Sequence, residues 1–169
     1  MTMALGLLIL RVVTGLLLAA HGSQKVFGWF KGPGFAGATS YFQSLGFRPA
    51  WFWTLLVCLA EFGGGLLLAL GLLTPLASLA IIADMIMAIL KVKIANGFWA
   101  SNNGYEFELT LLVISLALGL IGPGTYSLDA AIGFTLPVWG FLIGLGVVVL
   151  VDAGGLALSN QRTSQQHAL

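Results

Sequence analysis

Long apolar runs decide what this sequence can fold into. A helix crossing a hydrocarbon core about 30 Å thick needs roughly 17–25 mostly apolar residues. Five segments meet this pattern: about Met3 to His21, Ala50 to Leu73, Pro75 to Leu90, Glu106 to Ile121 and about Leu136 to Val151. Only 8% of the residues are charged, against about 25% in an ordinary soluble domain, so a water-facing monomer is excluded. The expected fold is all-α, an integral membrane helical bundle. It forms one transmembrane domain over residues 1–158, followed by a polar, disordered tail at 159–169 that contains His167.

The connections support this reading. Leu73-Thr74-Pro75 is too short for anything but an antiparallel helical hairpin, and Pro75 stands at a first helical position that tolerates proline. Gly122-Pro123-Gly124 ends the fourth span. The first span has no basic residue ahead of it and is interrupted by Arg11, so it reads as a retained helix and not as a signal peptide. With five spans, Lys25, Lys31, Arg48, Lys91, Lys93 and Arg162 share one face. The positive-inside rule then places the N-terminus outside and the C-terminus in the cytoplasm. Between the first two spans, Phe35, Ala38, Phe42 and Leu45 recur at helical spacing. A short helix lying in the interface or dipping into the bundle mouth fits them, either as a lid or as a plain aromatic belt.

Ionisable residues inside spans carry the most information. Arg11, Glu61 and Asp84 each fall near the middle of a span, where Arg or Asp costs roughly +2.5 to +3.5 kcal/mol on insertion scales. At similar depth they are expected to meet, with Gly15, Gly64 and Gly65 allowing close helix approach. One Arg and two carboxylates leave a negative excess, so one carboxylate is expected to be protonated or to share a proton. A static buried ion pair that only fixes packing explains the same residues. A second cluster is expected at the cytoplasmic end, where His21 and Lys25 meet the start of span four at Tyr105, Glu106 and Glu108. Glu106 and Glu108 lie about 200° apart on a helix, so only one points easily into the bundle. Beside a carboxylate, His21 is placed either to exchange protons with a bound molecule or simply to cap the helix.

Several function classes drop out. A formal net charge of +1 gives no basic surface for nucleic acid. The lone Cys58 excludes an internal disulfide, a CxxC pair and a cysteine-rich metal site. No nucleophile elbow, zinc-protease, P-loop or dinucleotide motif occurs in a suitable context. No metal and no intrinsic cofactor are expected. Gly140 and Gly144 form a GxxxG pair that either packs helices internally or joins two copies in a homo-oligomer.

The stretches LRVVTGLLLAAHGSQKVFGWFKGPG, LAEFGGGLLLALGLLTPLA and NGYEFELTLLVISLALGLIGPGTYSLDA resemble the DoxX family of small prokaryotic membrane proteins. The specific element is the ordered combination of HGxxKxFGxF, AExxGG, GYE and GPGxxSLD, which extends over roughly residues 5–131. The resemblance implies a four-helix core in a bacterial or archaeal cell (inner) membrane, with the fifth, C-terminal helix outside it. It also implies association with quinone-linked redox chemistry and with membrane oxidoreductase complexes that handle thiol and oxidative stress. Carried onto this sequence, the motif positions are Arg11, His21, Gly22, Lys25, Glu61 and Glu106, with Asp84 the looser match.

The reading that follows is a quinone- or quinol-interacting subunit of a membrane redox system. His21, Lys25 and Glu106 would form the polar end of its site, with Phe27, Trp29 and Phe30 as the wall. The sequence shows no motif for haem, flavin or iron–sulfur, so electrons would come from a partner protein or a diffusing reductant. Whether the chain is itself an enzyme stays open. Two alternatives stand beside this reading. One is a small-solute or proton transporter using Arg11, Glu61 and Asp84. The other is a structural or assembly subunit of a membrane complex.

Overall fold

The computed structural model describes the backbone of residues 1–166 and the side chains of residues 1–161. Among the described residues there is no strand. We number the helices α1 (Thr2–Val26), α2 (Gly34–Ser44), α3 (Ala50–Leu70), α4 (Thr74–Asn96), α5 (Glu106–Ile121), α6 (Leu128–Ile132) and α7 (Val138–Gln166). Four of them, α1, α3, α4 and α7, are long and apolar enough to cross a membrane. Their outward positions, such as Val13 at 59% exposure and Leu150 at 74%, are aliphatic as a lipid-facing surface requires. The protein is a multi-pass membrane bundle.

Several expected boundaries move. α1 continues to Val26, α4 to Asn96 and α7 to Gln166. The last of these makes helical most of the segment read as a disordered tail; residues 167–169, with His167, lie outside the described residues. α5 keeps the expected bounds, but its 16 residues give only about 24 Å at ~1.5 Å per residue, short of a full hydrocarbon crossing. It nevertheless runs between the two ends of the bundle. It starts where Glu106 N donates to Phe98 O, just after α4, and ends where Gly124 packs on Leu7 of α1.

Glycines set how closely these helices approach. A methyl group on Gly15 would lie 2.5 Å from Ala69 N and from Gly65 O, and one on Gly65 would lie 2.6 Å from Ala19 N. Gly22 rests directly on the Phe62 backbone. α1 and α3 therefore meet backbone to backbone, antiparallel, along a seam of small residues. α7 docks on the opposite side: the Phe141 ring covers Gly119 of α5, and Leu79 of α4 fills the space left by Gly144. The GxxxG pair thus contributes Gly144 to packing inside the chain.

One end of the bundle is closed by a polar knot. The α3–α4 turn uses left-handed conformations at Gly71 (φ 64°) and Leu73 (φ 49°). Asp129 of α6 accepts hydrogen bonds from Leu73 N at 2.7 Å and Thr74 N at 2.9 Å, while its own N–H donates to Gly71 O at 2.8 Å. The Arg11 guanidinium lies against Gly71, donates to Ala69 O at 2.8 Å and feels the Asp129 charge. Arg11 and Asp129 are buried together at 2% and 1% exposure, so each supplies the opposite charge that the other needs away from water.

Gly15→Ala should lower the melting temperature of the detergent-solubilised protein by several degrees. Overpacking of this kind costs about 1–3 kcal/mol. Gly6→Ala on the same helix has nothing within 4 Å and should leave the melting temperature unchanged or slightly raised. Equal effects from the two substitutions would refute the seam.

Candidate functional site

The α1–α3 seam brings the last turn of α1 level with Glu61. Lys25 forms a charge-assisted hydrogen bond to Glu61 Oε2. Glu61 stands on a π-helical turn, Leu59–Gly63, a local widening of a kind that recurs at functional sites. Its side chain is 8% exposed, against 28% for Lys25, so the pair lies at the wall of the bundle's interior and reaches toward its mouth.

Above this pair opens a cavity of about 650 Å³, within the range of small-molecule sites. Its floor is Leu18, Val57, Asp84 and Met85; α2 forms its roof through Ala38, Tyr41 and Phe42, and Phe107 stands at its side. His21, Lys91, Lys93 and Glu108 complete the polar lining. Lys93 lies 3.7 Å from Glu108 Oε1 and also donates to Asn103. Lys91 donates to Asn160 of α7 at 2.6 Å, with its ammonium 5.8 Å from the Phe47 ring centre. His21 Nδ1 lies 3.0 Å from Leu17 O. A carbonyl only accepts, so the proton of that bond is on Nδ1, which leaves Nε2 as the nitrogen able to bind or exchange a proton. Asp84 Oδ2 and Glu108 Oε2 are buried without a hydrogen-bond partner among the described residues. Both residues line the cavity, where a donor group of a ligand can reach them. Among the described residues no three His, Cys, Asp or Glu side chains are placed to hold a metal ion.

Some sequence expectations are rearranged. His21, Lys25, Glu61 and Asp84 line one cavity, but Arg11 does not join them. Gly15 and Gly22 meet α3 at Ala69 and Phe62, which offsets Arg11 from the level of Glu61 by about ten residues, or about 15 Å along the axis. The charge that meets Glu61 is Lys25, and with Lys91 and Lys93 opposite Glu61, Asp84 and Glu108 the cavity is formally neutral. On α5, Glu108 lines the cavity and Glu106 does not. Phe27, Trp29 and Phe30 also stay outside, at 52%, 56% and 70% exposure. Phe27 stacks on Trp29 at 4.7 Å and meets Phe62 edge-on at 5.3 Å on the bundle's exterior. The inner aromatic wall is instead Tyr41, Phe42, Phe47 and Phe107. Sequence reasoning also passed over Asp152, which is 5% exposed. Its signal was present as one acid in the run VVVLVDAGG, just beyond the expected end of the last span.

Comparison with known proteins places this architecture. The family model described as DoxX matches residues 6–94. A Bacillus subtilis (strain 168) protein named "Putative oxidoreductase CatD" is 32% identical over 125 residues, which is 74% of this chain and 85% of the relative. "Inner membrane protein YqjF" of Escherichia coli (strain K12) is 30% identical over 73% of this chain and 89% of its own length. "Uncharacterized membrane protein Rv3486" of Mycobacterium tuberculosis is 30% identical over 71% and 77%, respectively. No solved structure matches.

Breaking the Lys25–Glu61 pair from either side should destabilise the protein by about 1–3 kcal/mol, since the remaining charge loses its partner. The double replacement Lys25→Met with Glu61→Gln should cost less than the sum of the two single changes. A thermal-melting double-mutant cycle reads this coupling, and strictly additive losses would mean that the pair is not coupled.

Proposed function

This chain belongs to the DoxX family, and we propose that it is a membrane-embedded quinone- or quinol-interacting component of a redox or oxidative-stress system. A quinone is flat, lipid-soluble and polar only at its two oxygens. What supports the reading is one cavity that joins an aromatic slot to proton-exchanging groups. Tyr41, Phe42 and Phe107 supply the slot, and His21, Lys25 and Glu108 supply the polar end. The relative named for an oxidoreductase points in the same direction.

In this reading, reduction of the quinone takes two electrons and two protons. The electrons come from a partner oxidoreductase or a diffusing reductant docked at the lysine-rich face. The protons pass through His21 Nε2 and the Glu108 carboxyl, both at the cavity lining. Lys25, held by Glu61, donates a hydrogen bond to a quinone oxygen and steadies the negative charge that builds there. The α2 roof shields the bound ring from water. The protein then resides in the cytoplasmic membrane with its lysine-rich mouth in the cytoplasm. A transporter built on Arg11, Glu61 and Asp84 has less support, because Arg11 belongs to the opposite end of the bundle.

Titrating the purified protein in lipid nanodiscs with a short-chain quinone should raise its melting temperature in a saturable way. His21→Ala, Phe42→Ala and Glu108→Gln should each weaken that binding about tenfold or more, equivalent to ~1.4 kcal/mol. Glu106→Gln and Phe30→Ala should leave it unchanged. If the quinone produces no saturable shift in the unaltered protein, the reading is wrong.

A further inference from the structure

A second recess lies on the flank of the bundle, between α3, α4 and α7, with a volume of about 460 Å³. Small residues hollow it out, among them Ala60, Gly63, Ala77 and Ala80. Its rim carries Leu59 at 58% exposure, Leu76 at 46% and Val151 at 53%. Such a rim faces hydrocarbon, so the recess opens sideways into the bilayer and not toward water.

Two carboxyls end in this apolar space, Asp84 of α4 and Asp152 of α7. They are 9% and 5% exposed, and each keeps an oxygen, Oδ2, without a hydrogen-bond partner among the described residues. Among the described residues, no lysine, arginine or histidine lines the recess. Asp84 lies within electrostatic reach of Glu61 and of Lys25, which is already bonded to Glu61. Lys91 is directed to Asn160 and Lys93 to Glu108 and Asn103. Of the four carboxyls across the two hollows, Glu61 and Glu108 each have a lysine within 4 Å, and among the described residues Asp84 and Asp152 have no ion-pair partner.

We propose that this flank recess is a binding site for a lipid-soluble organic monocation, an ammonium carried on an apolar body. The apolar body would fill the hollow beside Gly63, and the ammonium would donate to Asp84 and Asp152. Such a ligand gives both orphan acceptors a charged donor in a recess that has no basic side chain of its own among the described residues. It enters directly from the bilayer, where amphipathic amines concentrate. Because Asp84 also lines the inner cavity, occupancy of the recess is felt by the Lys25–Glu61 pair. The site goes beyond the quinone reading, since a chain that binds no quinone still carries this recess.

Octylammonium and its neutral counterpart octanol separate charge from shape. Both are titrated into the full-length protein in phosphatidylcholine nanodiscs, with empty discs as the partition control. Trp53 lines the recess and serves as a fluorescence reporter, checked with Trp53→Phe. Octylammonium should give a saturable change in emission at a concentration at least tenfold lower than octanol. Asp152→Asn should weaken octylammonium binding at least tenfold and leave octanol little affected. Gly63→Leu fills the hollow from a position with nothing within 4 Å and should abolish binding without lowering the melting temperature. Gly63→Leu thus keeps the test decisive even where Asp152→Asn perturbs the fold. Equal affinity for octanol, or octylammonium binding that survives Gly63→Leu, overturns the proposal. Loss of quinone binding with octylammonium binding intact would sink the quinone reading alone.

Discussion

The backbone contact between α1 and α3 determines where every polar group near it lies. In lipid, helices gain little from hydrophobic association, so close van der Waals packing at small residues holds them together. Gly15, Gly22 and Gly65 allow that approach and leave no freedom to slide, because any axial shift would press a side chain into the facing backbone. The register then follows. With Gly22 on Phe62, Lys25 falls beside Glu61, and with Gly15 on Ala69, Arg11 falls beside the α3–α4 turn.

That register sorts the buried charges into two groups with different physical characters. Arg11 and Asp129 are nearly sealed and are bonded to turn backbone: Asp129 holds the N–H groups that start α4, and Arg11 holds a carbonyl that ends α3. Their work is to close one end of the bundle. At the other end the charged groups line an open space and leave acceptors unused, at Asp84 and Glu108. A purely structural network gains most when every member is satisfied. Unpaired atoms occur at both ends, Arg11 Nε and Thr74 Oγ1 among them, but those of Asp84 and Glu108 border a cavity of about 650 Å³.

The sequence made the helices legible because lipid imposes a simple length and apolarity rule. Glu106–Ile121 matched at both ends, since Gly122-Pro123 forces a stop and the charges force a start. The α2 helix with its inward Ala38 and Phe42, and Leu45 just after it, were visible in their spacing. Axial register and rotation were not legible. Arg11 and Glu61 each sit mid-segment when the spans are drawn from hydropathy, yet α1 runs five residues beyond His21 and shifts the pairing. Glu106 and Glu108 are equivalent to any periodicity argument, and only the docking of α5 against α4 selects Glu108 for the cavity. The aromatic wall failed for a related reason. Phe27, Trp29 and Phe30 follow the end of α1, where a left-handed Gly28 turns the chain outward.

Asp84 is the one ionisable side chain among the described residues that lines both hollows, and its position has an energetic meaning. An acid at the centre of a membrane helix costs roughly +2.5 to +3.5 kcal/mol on insertion. The residues around it in α4, including Ile81, Ile82 and Met85, are buried and apolar, so an aliphatic side chain there would pack without that cost. Packing alone therefore gives no reason for an acid at this place. Toward the mouth Asp84 meets the Lys25–Glu61 pair, and toward the flank it shares the recess with Asp152. A carboxyl placed there is felt electrostatically in both hollows without any helix moving. With α1 and α3 locked backbone to backbone, electrostatics through a shared carboxyl is a coupling that needs no shift between them.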